Sequence, residues 1–61
     1  MKSSELLRIL LQDGWQVQSR RGSHVKLRHP VKSGVIIVPD HGSKEVATGT
    51  ALKILKDVGL K

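Results

Sequence analysis

Residues 24–39 read HVKLRHPVKSGVIIVP, and this stretch decides the fold. Val25 and Leu27 alternate with His24, Lys26 and Arg28, the period of two that marks a half-buried strand. Pro30 to Gly34 interrupts it with turn residues. Val35, Ile36, Ile37 and Val38 then form a β-branched run that Pro39 ends, because proline cannot donate to a sheet ladder. Two strands joined by so short a turn pair antiparallel.

On the N-terminal side, Trp15 and Val17 alternate with Gln16 and Gln18. This predicts a further strand with Trp15 and Val17 facing the core. The Arg20-Arg21-Gly22 turn joins it to the next, with Gly22 free to take a positive φ. Earlier still, Leu6, Leu7, Leu10 and Leu11 recur at helical spacing. The spacing predicts a helix from Ser4 to Asp13, with Ser3 or Ser4 as cap, Glu5 in the first turn and Gly14 as its stop.

On the C-terminal side, a loop from Asp40 to Ala47 leads to a second helix. Thr48 or Thr50 is its expected cap, Ala51, Leu52, Ile54, Leu55 and Val58 its apolar positions, and Gly59 its end. The order is α-β-β-β-α, an α+β fold. Two helices on one face of a three-stranded antiparallel sheet would bury the leucines, Trp15, Val17, Val25 and Leu27. The other sheet face stays open. With 61 residues, one domain over residues 1–61 is expected, with a small core.

Composition narrows the function. Eleven Lys and Arg against five Asp and Glu give a net charge of +6. Between Gly14 and Pro39 there is no acidic residue, while Arg20, Arg21, Lys26, Arg28 and Lys32 all fall there. Such a stretch attracts polyanions, nucleic acid foremost. There is no cysteine, which excludes disulfides and thiolate metal sites. The apolar cluster Leu6–Leu11 is interrupted by Arg8, is far shorter than a membrane span and precedes no small-residue cleavage site. A soluble, cytoplasmic protein is expected.

If Val25 and Leu27 face the helices, His24, Lys26 and Arg28 face away from them. Arg20 and Arg21 lie at the neighbouring turn. Arginine grips phosphate bidentately and lysine acts as a point charge. An unperturbed histidine titrates near pH 6.5, so it exchanges protons at neutral pH. This combination suits RNA cleavage. RNA carries its own nucleophile, the 2′-hydroxyl; the enzyme removes that proton, stabilises charge at phosphorus and protonates the leaving oxygen. No metal and no cofactor are expected. The alternatives are a non-catalytic RNA-binding module, a protein-interaction domain, or a polar surface histidine.

Other groups fit less well. Trp15 is the only Phe, Trp or Tyr and is expected in the core, so base stacking on aromatics is excluded. His29 falls at the end of its strand on the core side, where a structural, hydrogen-bonded role is expected. His41 follows Pro39-Asp40 and reads as a turn residue. His24, His29, His41 and Asp40 match no standard zinc spacing. Ser23 points away from His24, so it is not a nucleophile activated by it.

The fragments Asp13-Gly14-Trp15, Gly22-Ser23-His24, Arg28-His29-Pro30, Val38-Pro39, His41, Lys44-Glu45, Gly49-Thr50, Ile54-Leu55 and Gly59-Leu60 occur in an order that spans nearly the whole chain. In this order the sequence resembles the HicA toxin family, the mRNA interferases of bacterial type II toxin-antitoxin systems. The resemblance implies a fold like the double-stranded-RNA-binding domain and ribosome-independent cleavage of mRNA that inhibits translation and growth. It implies that the histidine of the Gly-Ser-His motif, here His24, is catalytic. It also implies a cognate HicB-type antitoxin that covers this surface and usually represses the operon. Two positions depart from the pattern: Val25 stands where many members have a second histidine, and Asp40 where many have another. These leave His24 as the one proton carrier, with Lys26, Arg28 or water for the second role. Arg20, Arg21, Ser23, Lys26 and Arg28 are the expected RNA contacts.

Overall fold

A computed structural model describes residues 1–42 and 44–60. The order is α1 (Ser3–Gln12), β1 (Gln16–Arg21), β2 (His24–Arg28), β3 (Val35–Pro39) and α2 (Thr48–Asp57). The strands form an antiparallel meander in the order β1-β2-β3. This is the expected α+β architecture. The expected loop from Asp40 to Ala47 contains residue 43, which lies outside the described residues.

The core holds Leu6 and Leu10 from α1, Trp15, Val25 and Leu27 from β2, Val38 from β3, Val46, and Ala51, Ile54, Leu55 and Val58 from α2 and its end. Both helices stop on a glycine by the same device. The Trp15 amide donates to the Leu10 carbonyl and the Gly14 amide to that of Leu11. In α2 the Leu60 amide donates to Leu55 and the Gly59 amide to Lys56. This is the Schellman arrangement, which requires a left-handed residue; Gly14 has φ 104° and Gly59 φ 80°.

The helix starts differ from expectation. Neither helix has a side-chain cap, and the N-cap residues are Lys2 and Ala47 rather than a serine or threonine. For α1 the chain itself supplies the acceptors. The Ser3 amide donates to the Lys44 carbonyl and the Ser4 amide to that of Gly42, so the first-turn donors are satisfied by the loop after β3. Ser3 is fully buried, and its hydroxyl also reaches the Lys44 carbonyl.

Val17 is a second correction. It is 52% exposed, and the whole of β1 is exposed. The helices cover β2 and β3, and β1 runs beyond them as an edge strand. A bulge lies between Val17 and Ser19, since Val17 pairs with Leu27 and Ser19 with Lys26. The extra residue shifts the facing of every later side chain on the strand. Leu11 and Leu52 are likewise exposed; each helix buries a narrower stripe than its apolar spacing suggests.

Candidate functional site

The site is built by alternation along three paired strands. Lys26 lies opposite Ser19 on one side and Ile37 on the other. His24 lies opposite Arg21 and Pro39, and Arg28 opposite Gln16 and Val35. Cross-strand partners share a face. Val25 and Leu27 point into the core, so these rows form the open face. His24, Lys26 and Arg28 are all exposed, as the alternation predicted.

His24, Lys26, Arg21, Arg20, Ser19 and Ile37 line a shallow depression of about 630 Å³. The strands that carry Arg21 and His24 are joined by the Gly22-Ser23 turn, where Gly22 takes φ 59°. Within the depression an imidazole, an ammonium and a guanidinium stand beside one another. Arg28 extends the basic row away from the depression, roughly 14 Å along the strand from His24 at about 3.4 Å per residue.

Arg20 behaves unlike Arg21. It pairs with Val25 in register, so it leaves β1 on the helix side, and Nη1 donates to Asp40 Oδ2 at 2.7 Å. The Asp40 amide donates to the Ser23 carbonyl at 2.6 Å, and Asp40 Oδ1 accepts from the Gly42 amide. The Arg20 guanidinium, with the Gly42 amide second, holds the Asp40 carboxyl below the usual carboxylate range. The pair thus ties β1 to the end of β3 around the turn that leads into His24. Ser23 is half-buried, with its carbonyl committed to Asp40.

His29 sits at the opposite end of β2 and is fully engaged. Its Nδ1 accepts from the amides of Val31 and Lys32, both at 3.0 Å. That leaves Nε2 as the protonated nitrogen, donating to the Asp13 carbonyl at 2.7 Å. The ring also meets Trp15 edge-on, with centroids 5.3 Å apart. Lys32 Nζ donates to the Asp13 carboxylate and to the Val58 carbonyl at the end of α2. Hydrogen bonding from Lys32 is the leading cause of the lowered pKa of Asp13. His29 is therefore structural. His41 lies in the turn after β3, its carbonyl accepting from the Lys44 amide. Among the described residues, no three histidine or carboxylate groups come together to hold a metal ion.

Three members of this arrangement were not foreseen from the sequence. The β-branched run Val35–Val38 has no alternation, so nothing marked Ile37 as facing outward. The bulge hid Ser19. The Arg20–Asp40 pair joins residues 20 apart and left no local signal.

A family model described as the HicA toxin of bacterial toxin-antitoxin pairs matches residues 3–60. The chain belongs to the HicA toxin family. A Pseudomonas fluorescens (strain Pf0-1) protein named "Probable mRNA interferase HicA" is 44% identical over 61 residues, covering 100% of this chain and 98% of that protein. As a HicA toxin the chain is one half of a toxin-antitoxin pair, so an antitoxin is its partner. No helix among the described residues is long and apolar enough to cross a membrane.

Proposed function

We propose that this HicA toxin is an endoribonuclease that cleaves mRNA on the open sheet face, with His24 as general acid or base. The observation that carries the reading is the exposed His24 between Arg21 and Lys26, in one depression on a basic face. In the reaction the 2′-oxygen loses its proton and attacks phosphorus, the bond to the 5′-oxygen breaks, and the leaving oxygen gains a proton. His24 performs one of the two proton transfers. Arg21 and Lys26 stabilise the charge that develops on the phosphoryl oxygens. Water or Lys26 serves the other transfer, and neither a metal nor a cofactor takes part.

Arg28 contacts phosphate farther along the strand. Arg20, which also lines the depression, and Ser23, next to His24 in the turn, are the further contacts of the site. Residues 1–61 act as one toxin domain in the cytoplasm, where mRNA is met. The antitoxin is of the HicB type and masks this face; a strongly basic surface suits an acidic partner.

The test is a cleavage assay on a long, largely unpaired RNA with EDTA present, comparing the protein with His24→Ala. Circular dichroism first establishes that both are folded. The expected result is cutting by the parent and loss of at least about 100-fold in the variant. Equal cutting by both, or a strict need for added divalent metal, would overturn the mechanism. RNA bound equally by both and cut by neither would favour a non-catalytic binding module.

A further inference from the structure

The open face is two-toned. Beside the row His24, Lys26 and Arg28 on β2 runs a second row on β3: Pro39 opposite His24, Ile37 opposite Lys26 and Val35 opposite Arg28. Ile37 is 56% exposed and Val35 42%. Opposed side chains on neighbouring strands stand roughly 5 Å apart. A cationic line and an aliphatic line thus lie side by side, in register, and start together at the depression that holds His24.

The aliphatic line is unprotected in a way the other edge is not. Edge strands are normally blunted by charge or by bulges. β1 has both, with its bulge after Val17 and with Arg20 and Arg21 at its end. β3 reads Val-Ile-Ile-Val and carries no charge, so its outward side chains gain from being covered.

We infer that the β3 row is the seat of the nucleobases: a single RNA strand lies along the sheet with its phosphates on β2 and its bases against Ile37 and Val35. The inference rests on the reading of this face as the RNA site and adds how the substrate lies on it. The charge pattern favours RNA as occupant. A backbone of phosphates needs cations along its length, and β2 offers two on this face, Lys26 and Arg28, about 6.8 Å apart, comparable with the phosphate spacing of an extended strand. Bases then project sideways, and what they meet one strand over is apolar. Base faces are apolar and sequence-tolerant partners. With Trp15 in the core, the β-branched row is the surface available to receive them. The arrangement favours unpaired RNA, because bases in a duplex are stacked away from such contact.

The experiment measures binding by fluorescence anisotropy on the non-cutting His24→Ala protein, with and without Ile37→Thr. Threonine is β-branched and keeps the strand preference, and the position is exposed, so the fold is preserved. The probes are a short single-stranded RNA and an oligonucleotide of equal length with abasic sites at its centre. Both carry the same phosphates, so the electrostatic contribution is held constant. The expected result is a preference of about fivefold for the base-bearing probe, the magnitude of covering part of one aliphatic side chain. Ile37→Thr should erase it by weakening that probe alone.

Equal binding of both probes before the change, or an unchanged preference after it, overturns the inference. So does no binding of either probe at low salt. Loss of antitoxin binding in Ile37→Thr with both RNA affinities unchanged would also overturn it and assign the row to the protein partner. Because the readout is binding, the inference stands or falls separately from whether His24 cuts.

Discussion

His24 and His29 sit at and just beyond the two ends of one five-residue strand, and they have opposite surroundings. His29 has both ring nitrogens committed, three hydrogen bonds in all, with an indole against its ring. His24 is exposed, makes no hydrogen bond through its ring among the described residues, and faces Arg21 and Lys26. A histidine whose nitrogens are spent on the backbone holds a structure together. One whose nitrogens are unspent, set among cations, is available to a substrate. The same residue type is thus spent on architecture at one end of β2 and left free for the proposed chemistry at the other.

The sharpest way to break this contrast is to remove each ring in turn. His24→Ala should lower RNA cleavage by at least about 100-fold and leave the thermal midpoint within a few degrees of the parent, since an exposed strand position contributes little to packing. A variant that unfolds would mean that His24 has a structural role like that of His29.

His29→Ala should do the reverse. It strands the amides of Val31 and Lys32 and the Asp13 carbonyl, and it removes the ring from Trp15. A loss of about 2–3 kcal/mol in urea unfolding is expected, with cleavage retained by whatever fraction stays folded. Gly14→Ala should be at least as damaging to the same corner. An added Cβ would lie 2.7 Å from His29 Nε2, at a backbone with φ 104°. Neutral behaviour of both variants would show that this corner is dispensable.

The two arginines at the end of β1 sharpen the contrast further. Arg21 faces His24, whereas Arg20 pairs with Asp40. Arg21→Ala should reduce cleavage by about tenfold, the cost of one charge-assisted phosphate contact, and weaken the salt dependence of RNA binding. Arg20→Ala should affect activity less and should be mimicked by Asp40→Asn, because both release the same tie around the turn. If Arg20→Ala hurts while Asp40→Asn does not, Arg20 touches RNA directly.

Much of this was legible in the sequence, and the exceptions share a cause. The hairpin, the glycine stops and the outward row of β2 follow from local periodicity and backbone freedom, which neighbouring residues encode. Val17 was misplaced because alternation says which way a side chain points and not whether anything covers it there. Neither Ser3 or Ser4 nor Thr48 or Thr50 caps its helix: for α1 the carbonyls of the distant loop after β3 take that role, and α2 starts without a side-chain cap. For the site, the outward facing of His24, Lys26 and Arg28 was legible from alternation, whereas Arg21 was placed only at the turn and the bulge in β1 is what brings it onto the same face. Ile37 and the Arg20–Asp40 pair were not legible, since both depend on register and on contacts made across the sheet.

The smallest expected effect is in acid. Asp13 and Asp40 both have carboxyl pKa values lowered in the folded chain, first by Lys32 and by Arg20 respectively. A depressed folded pKa means that the folded state binds these protons less readily than the unfolded chain. Each pair therefore stabilises the fold fully above the unfolded carboxylate value near 3.9, and that contribution is lost as pH falls through the folded value. Stability should be level from pH 7 to about 5 with respect to these groups and decline below about pH 4. Asp13→Asn should flatten part of that decline while slightly lowering stability at pH 7, because Lys32 then faces a neutral amide in place of the carboxylate. In each pair the cationic partner is open to water, Arg20 by 52% and Lys32 by 37%, so each effect is modest. A urea midpoint measured from pH 7 to 2.5 on the parent, Asp13→Asn and Asp40→Asn would separate them. An identical acid profile in all three would show that neither ion pair contributes, and that Lys32 secures only the end of α2, through its bond to Val58.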